Sequence, residues 1–180
     1  MMQDFILKIN KQGLLMEKLY APWRSQYVNK TEKQKIKKAG CLFCQKAKAK
    51  AKDDAQEYII KRYPYCYVIL NIYPYNAGHI MIIPNKHTTD LKRLSSAERI
   101  ELMHALTESI DIINKTLKPD GINVGINLGK AAGAGLPKHL HIHVVPRWEG
   151  DTNFMPLLAE TKHISMDLNK IYAELKKAFA

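Results

Sequence analysis

Apolar positions fall into two spacings along this chain. From Tyr58 onward, EYIIKRY, YCYVILNI (65–72) and HIMIIP (79–84) are short, rich in β-branched and aromatic residues, and separated by Pro or Pro-x-Asn-x-Gly turns. These read as consecutive strands of a meander. INVGINL (122–128) sets Ile122, Val124, Ile126 and Leu128 against Asn123, Gly125 and Asn127, the alternation of a half-buried strand. KHLHIHVVPRW (138–148) sets His139, His141 and His143 against Leu140, Ile142 and Val144 in the same way. Between these groups the period changes to that of a helix. Ser95 followed by Glu98 makes a capping box, and Ile100, Met103, Leu106, Ile110, Ile113 and Leu117 recur until Lys118-Pro119-Asp120-Gly121 ends the pattern. The tail from Ser165, with Leu168, Ile171, Tyr172, Leu175 and Phe179, predicts a terminal amphipathic helix. Strands, helix, strands, helix is an α+β order with a mainly antiparallel sheet.

Composition narrows the class. The chain has 180 residues and 46% hydrophobic content, enough for one ordinary globular core. No run approaches the roughly 18 to 20 apolar residues of a membrane span. The first residues, MMQDFILKINKQGLLMEK, lack a secretory h-region and cleavage site, so a cytoplasmic protein is expected. Either Met1 or Met16 can serve as the start. Residues 1–39 read as an N-terminal arm, 40–155 as the catalytic domain, and 156–180 as a helical tail packed on that domain. Nine lysines between Lys30 and Lys52 supply much of the net charge of +11. No aromatic residues interleave with the lysines of 45–52, so a solvated face is expected rather than a nucleic-acid site. KAKAKAKDD (46–54) reads as a helix end or a surface loop.

Three cysteines do not form the framework of a secreted domain. Cys41 and Cys44 form a C-x-x-C pair, which is open between metal binding, redox chemistry and coincidence. The redox version needs a thioredoxin-like βαβ setting that the pattern lacks. Cys66, inside YCYVIL, reads as a small buried hydrophobe. His104 reads as a helix histidine, solvent-facing or packed.

His139, His141 and His143 share one face of a strand while Leu140, Ile142 and Val144 anchor the other. A merely solvated polar face fits poorly with three of seven histidines in strict alternation. The outer two Cα atoms lie about 13 Å apart, so two rings can share a metal but three on one ion is strained. Nucleophilic catalysis by the middle imidazole, with its neighbours holding it and a phosphate, uses all three.

H-L-H-I-H-V-V is the pattern His-φ-His-φ-His-φ-φ, and the chain resembles the HIT (histidine triad) family of nucleotide hydrolases and transferases. CLFC, LNIYPYNAGHIMIIPNKH, NLGKAAGAG and HLHIHVVPRWEGDTNFM, with LYAPWR upstream, extend the likeness over roughly residues 40–155 and beyond. Together they look most like the branch that contains bacterial diadenosine tetraphosphate phosphorylases. The resemblance implies a five-stranded, mainly antiparallel sheet packed with helices, and a homodimer. It implies cleavage of dinucleoside polyphosphates, with diadenosine tetraphosphate the expected substrate and phosphorolysis favoured over hydrolysis. Hydrolysis of adenosine 5′-phosphoramidates is the alternative activity. A nucleotide-binding protein with vestigial catalysis is the alternative from another class.

By that likeness His141 is the nucleophile, His143 holds the transferring phosphate, and His139 stands beside them. Asn71 matches the ribose position and Asn127 approximates an amide at the phosphate. Gly133 and Gly135 belong to a loop able to aim N–H groups at phosphate oxygens. Gly135 stands where many relatives carry Ser or Gln. Trp148 is a candidate for stacking on a base or lining the dimer, with plain burial the simpler outcome. In zinc-holding relatives two cysteines join a histidine after the I-P strand and the first triad histidine. Here these are Cys41, Cys44, His87 and His139, a closed four-ligand set of the structural kind.

Overall fold

The computed structural model describes residues 40–129, 131–151 and 167–180. The expected arm over 1–39, both candidate starts and LYAPWR lie outside these residues. Five strands form one antiparallel sheet: β1 (Ile59–Arg62), β2 (Cys66–Leu70), β3 (Ile80–Pro84), β4 (Gly121–Ile126) and β5 (Ile142–Arg147), in the order β1-β2-β3-β5-β4. The first three make the expected meander. The histidine-bearing segment then returns between β3 and β4, with Met81 and Gly125 flanking His143 in register. It therefore occupies the interior of the sheet.

Among the described residues three α-helices accompany the sheet: α1 (Leu42–Lys48), α2 (Ser96–Leu117) and α3 (Leu168–Ala178). The capping box that starts α2 is formed, with Ser95 Oγ accepting from Glu98 N–H and Glu98 accepting from Ser95 N–H. Lys118 ends the helix in the left-handed region, and Pro119 prevents continuation. Helix α3 begins at Asp167, whose carboxylate accepts from Lys170 N–H, and buries Ile171 and Leu175.

Strand alternation separates two cores. Val68, Leu70, Ile80, Ile82, Ile142 and Val144 pack under α2 and α3. On the opposite face Ile59, Tyr67, Ile69, Met81 and Ile83 gather around Phe43 of α1. Two hydrogen-bond groups dock that short helix. The buried Tyr67 hydroxyl donates to Phe43 O at 2.9 Å, and Arg62 donates to the terminal carbonyls of Lys46 and Ala47, each at 3.1 Å. The lysine-rich end of α1 is thus a surface helix end, as expected, except that Lys46 itself is largely covered.

Three local expectations are corrected. The strand over 138–148 begins only at Ile142. Pro84, opposite this stretch, has no N–H to offer, and Leu140 N–H instead donates to Thr88 O at 2.7 Å. The side-chain alternation nevertheless persists, since Leu140 lies in the helix-side core. The strand expected over 122–128 spans 121–126 and is an edge strand among the described residues, with Val124 46% and Leu128 55% exposed. In α2 the buried stripe is Leu102, Ala105, Leu106, Ser109, Ile112 and Ile113. Ile100 and Met103 are 70% and 58% exposed, because they lie on the side of α2 turned from the sheet.

Candidate active site

His139, His141 and His143 project to the α1 face of the sheet, all three buried. Phe43 meets two of them edge-on, with ring centroids 5.6 Å from His139 and 5.3 Å from His141. The three imidazoles have different partners, and those partners assign their protons.

His141 Nδ1 lies 2.8 Å from the carbonyl oxygen of His139. A carbonyl only accepts, so Nδ1 carries the proton and Nε2 the lone pair. Burial holds this imidazole below the ordinary histidine value, against the upward pull of that hydrogen bond. The ring is therefore a neutral base near pH 7. It lines a cavity of about 290 Å³ together with Leu42, Phe43, Asn71, Gly133 and His143.

His143 is set by a residue that sequence reasoning passed over. Tyr75 N–H donates to His79 Nδ1 at 3.1 Å, and Asn71 Nδ2 lies 3.3 Å from the same nitrogen. Nδ1 of His79 is thus an acceptor and the His79 proton is on Nε2. That nitrogen is 2.9 Å from His143 Nδ1, which must accept, so His143 carries its own proton on Nε2. His79 is fully buried and stacked on Tyr75 at 4.8 Å. The signal was present: His79 opens HIMIIP and alternates with Met81 and Ile83 onto the triad face.

His139 faces another way. Its Nε2 donates to Pro84 O at 2.9 Å, leaving Nδ1 unprotonated. Burial also holds this ring below its ordinary value. Nδ1 lies 3.2 Å from Cys41 Sγ, 3.5 Å from Cys44 Sγ and 3.3 Å from His87 Nδ1. Cys44 Sγ is 3.2 Å from His87 Nδ1, and all four ligand atoms fall within 4.8 Å of one another. With metal–nitrogen and metal–sulfur bonds near 2.05 and 2.3 Å, a tetrahedron has edges of about 3.3 to 3.8 Å. The donor set fits one small tetrahedral ion, and the Pro84 carbonyl supplies the outer hydrogen bond that orients a ligating imidazole.

Asn71 is buried at the end of β2 and accepts from Tyr73 N–H at 2.9 Å. Its amide keeps a second lone pair and a second N–H for a ligand. Gly133 and Gly135 line the same cavity. Asn127 does not; it lines a second cavity of about 380 Å³ on the β4 side of His143, with Asn123 and Arg147. Trp148 is half-buried and lines neither cavity among the described residues.

The model of the HIT domain matches residues 52–150. The chain belongs to the HIT family. An AP-4-A phosphorylase of Mycobacterium tuberculosis is 35% identical over 83% of this chain and 77% of its own length. An asymmetrical bis(5′-nucleosyl)-tetraphosphatase of Schizosaccharomyces pombe is 32% identical over 46% of this HIT chain and 44% of that one. Among solved structures, a zinc-bound histidine triad family protein from Mycobacterium smegmatis matches with a TM-score of 0.60 at 28% identity, covering 77% of this chain and 92% of that chain. The expected class, a nucleotide hydrolase or transferase, stands with this membership, and so does the five-stranded α+β fold. No helix among the described residues is long and apolar enough to cross a membrane.

Proposed function

We propose that this HIT protein cleaves dinucleoside polyphosphates, diadenosine tetraphosphate foremost, through a nucleotide carried on His141. The observation that carries this reading is the proton assignment of His141, with Nδ1–H on a backbone carbonyl and a lone pair on Nε2, in a side chain lining a cavity beside Asn71. Nε2 attacks the α-phosphorus, a P–N bond forms, and the bond from that phosphorus to the bridging oxygen breaks with its electron pair leaving on the polyphosphate. His143 Nε2–H hydrogen-bonds the transferring phosphate as charge develops. Gly133 and Gly135 line the same end with main-chain groups, and Asn71 holds the ribose hydroxyls. Asn127 lines the neighbouring cavity, so its amide serves the polyphosphate side. In the second step an acceptor oxygen attacks phosphorus, the P–N bond breaks, and the lone pair returns to Nε2.

Inorganic phosphate is the proposed acceptor, in keeping with the M. tuberculosis relative's name. Cys41, Cys44, His87 and His139 would hold a structural Zn2+, which supplies cross-linking and no open coordination position. The segment 40–155 with its helical tail acts as one catalytic unit. A homodimer formed through the exposed β4 edge and a cytoplasmic setting complete the reading, and Trp148 is left to that dimer contact or to simple packing. Incubation with diadenosine tetraphosphate, with and without phosphate, tests the reaction. ATP plus ADP only with phosphate is the expected result. ATP plus AMP makes the protein a hydrolase, and turnover confined to an adenosine phosphoramidate overturns the substrate assignment.

A further inference from the structure

The cavity beside His141 has apolar walls apart from its reacting end and one ion pair, Lys46–Glu57, both members of which line it. Lys46 belongs to a run that reads as solvated, yet its side chain is only 15% exposed. Leu42, Phe43 and Lys46 share the cavity face of α1, at positions i, i+1 and i+4. Phe43 meets the His141 ring, and Lys46 lies about 4.5 Å further along the helix axis. Glu57, two residues before β1, meets it at the cavity wall. Leu70 N–H donates to Tyr58 O at 2.9 Å, which holds Glu57 next to the strand end that carries Asn71.

We infer that the Lys46–Glu57 pair reads the outer edge of a purine base. This rests on the nucleotide reading above. With phosphate at His141 and ribose at Asn71, a base lies over Leu42, Phe43 and Ile69 and its far edge meets the pair. Lys46 Nζ donates to the Glu57 side chain and, at 3.1 Å, to Glu57 O, which uses two of its three N–H groups. The third is left for a ring nitrogen, and the 41% exposed Glu57 carboxylate keeps lone pairs for an exocyclic amino group. Both contacts are made without opening the ion pair. The bicyclic purine extends far enough along the slot to make them, and a pyrimidine stops short.

Calorimetric titration of the full chain with AMP, UMP and ribose 5-phosphate tests this. The unmutated protein is expected to bind AMP more tightly than the other two. Lys46→Met and Glu57→Gln each weaken AMP about tenfold, the scale of a hydrogen bond to a charged group, with UMP and ribose 5-phosphate unchanged. Lys46→Arg keeps the donor and holds AMP within about twofold. Parallel weakening of AMP and ribose 5-phosphate, or unchanged AMP binding, overturns the inference. If the unmutated protein binds AMP and ribose 5-phosphate equally, this inference alone falls. If it binds neither, the nucleotide reading falls with it.

Discussion

His79 Nε2 lies 2.9 Å from His143 Nδ1, and this one hydrogen bond decides which nitrogen of His143 can donate. Without it this contact no longer holds the His143 proton on Nε2, and the form with Nε2–H is diluted. His79→Ala is expected to lower kcat up to about a hundredfold, on the scale of losing one transition-state donor. Any rise in KM should be smaller than the fall in kcat and should come through Asn71, the proposed ribose partner, whose amide nitrogen lies 3.3 Å from His79 Nδ1. His79→Asn, which can still donate to His143, should recover part of kcat. A loss confined to KM would refute the positioning role.

The Cys41, Cys44, His87 and His139 cluster predicts a difference among the three cysteines. A bound metal protects Cys41 and Cys44 from alkylation, and a strong chelator exposes both. Cys66 is pushed up to about 12 by burial and by Glu101, so its thiol stays protonated and unlabelled until the fold opens. Mass spectrometry after iodoacetamide treatment should find no label before chelation, labels on Cys41 and Cys44 after it, and a third only in denaturant. Equal labelling with and without chelator removes the metal from the account.

Much of this arrangement was legible in the sequence because it depends on period. Alternation put His139, His141 and His143 on one face, and the capping box placed the start of α2. What stayed hidden depends on contacts between distant segments. His79 is a single residue at a strand start, and only the return of β5 beside β3 gives it His143 as a partner. Pro84 cuts the ladder short of His141 for the same reason. Ile100 and Met103 fit the helical stripe in sequence, but the sheet meets α2 along a neighbouring one. Lys46 reads like its solvated neighbours, because only the fold brings Glu57 against it.

Glu108 of α2 joins the sheet to that helix through acid-sensitive bonds. Its carboxylate accepts from Lys61 Nζ at 2.8 Å and Tyr63 Oη at 2.7 Å, with His104 Nε2 at 3.8 Å. Burial pushes the carboxyl up, but Lys61 and Tyr63 outweigh it and hold the group below its ordinary value of 4.5. The folded state therefore binds this proton less readily than the unfolded chain. Its stabilisation is present above pH 4.5 and is lost as the pH falls through the folded value. Glu108→Gln should cost about 1 kcal/mol at pH 7. The deficit relative to the unmutated protein should shrink in denaturant melts toward pH 3, and a constant deficit would exclude the charge as its source.

Two glycines make opposite predictions. Gly78 has φ +71°, and a Cβ there would lie 2.2 Å from Leu117 Cδ1, at the turn that leads into His79. Left-handed backbone costs an L-residue about 1 to 2 kcal/mol, and displacing the Leu117 side chain adds about 1 more. Gly78→Ala should lower Tm accordingly, and activity should fall with it if the turn carries His79 along. Gly135 has nothing among the described residues within 4 Å of its would-be Cβ and is not among the glycines at positive φ. Packing among the described residues does not demand glycine there, so a side chain at this position tests the chemistry of the cavity. Gly135→Ser should leave stability within about 0.5 kcal/mol while adding a hydroxyl to the wall beside His141 and His143. A Tm loss as large as that of Gly78→Ala would mean that the loop needs glycine for its fold.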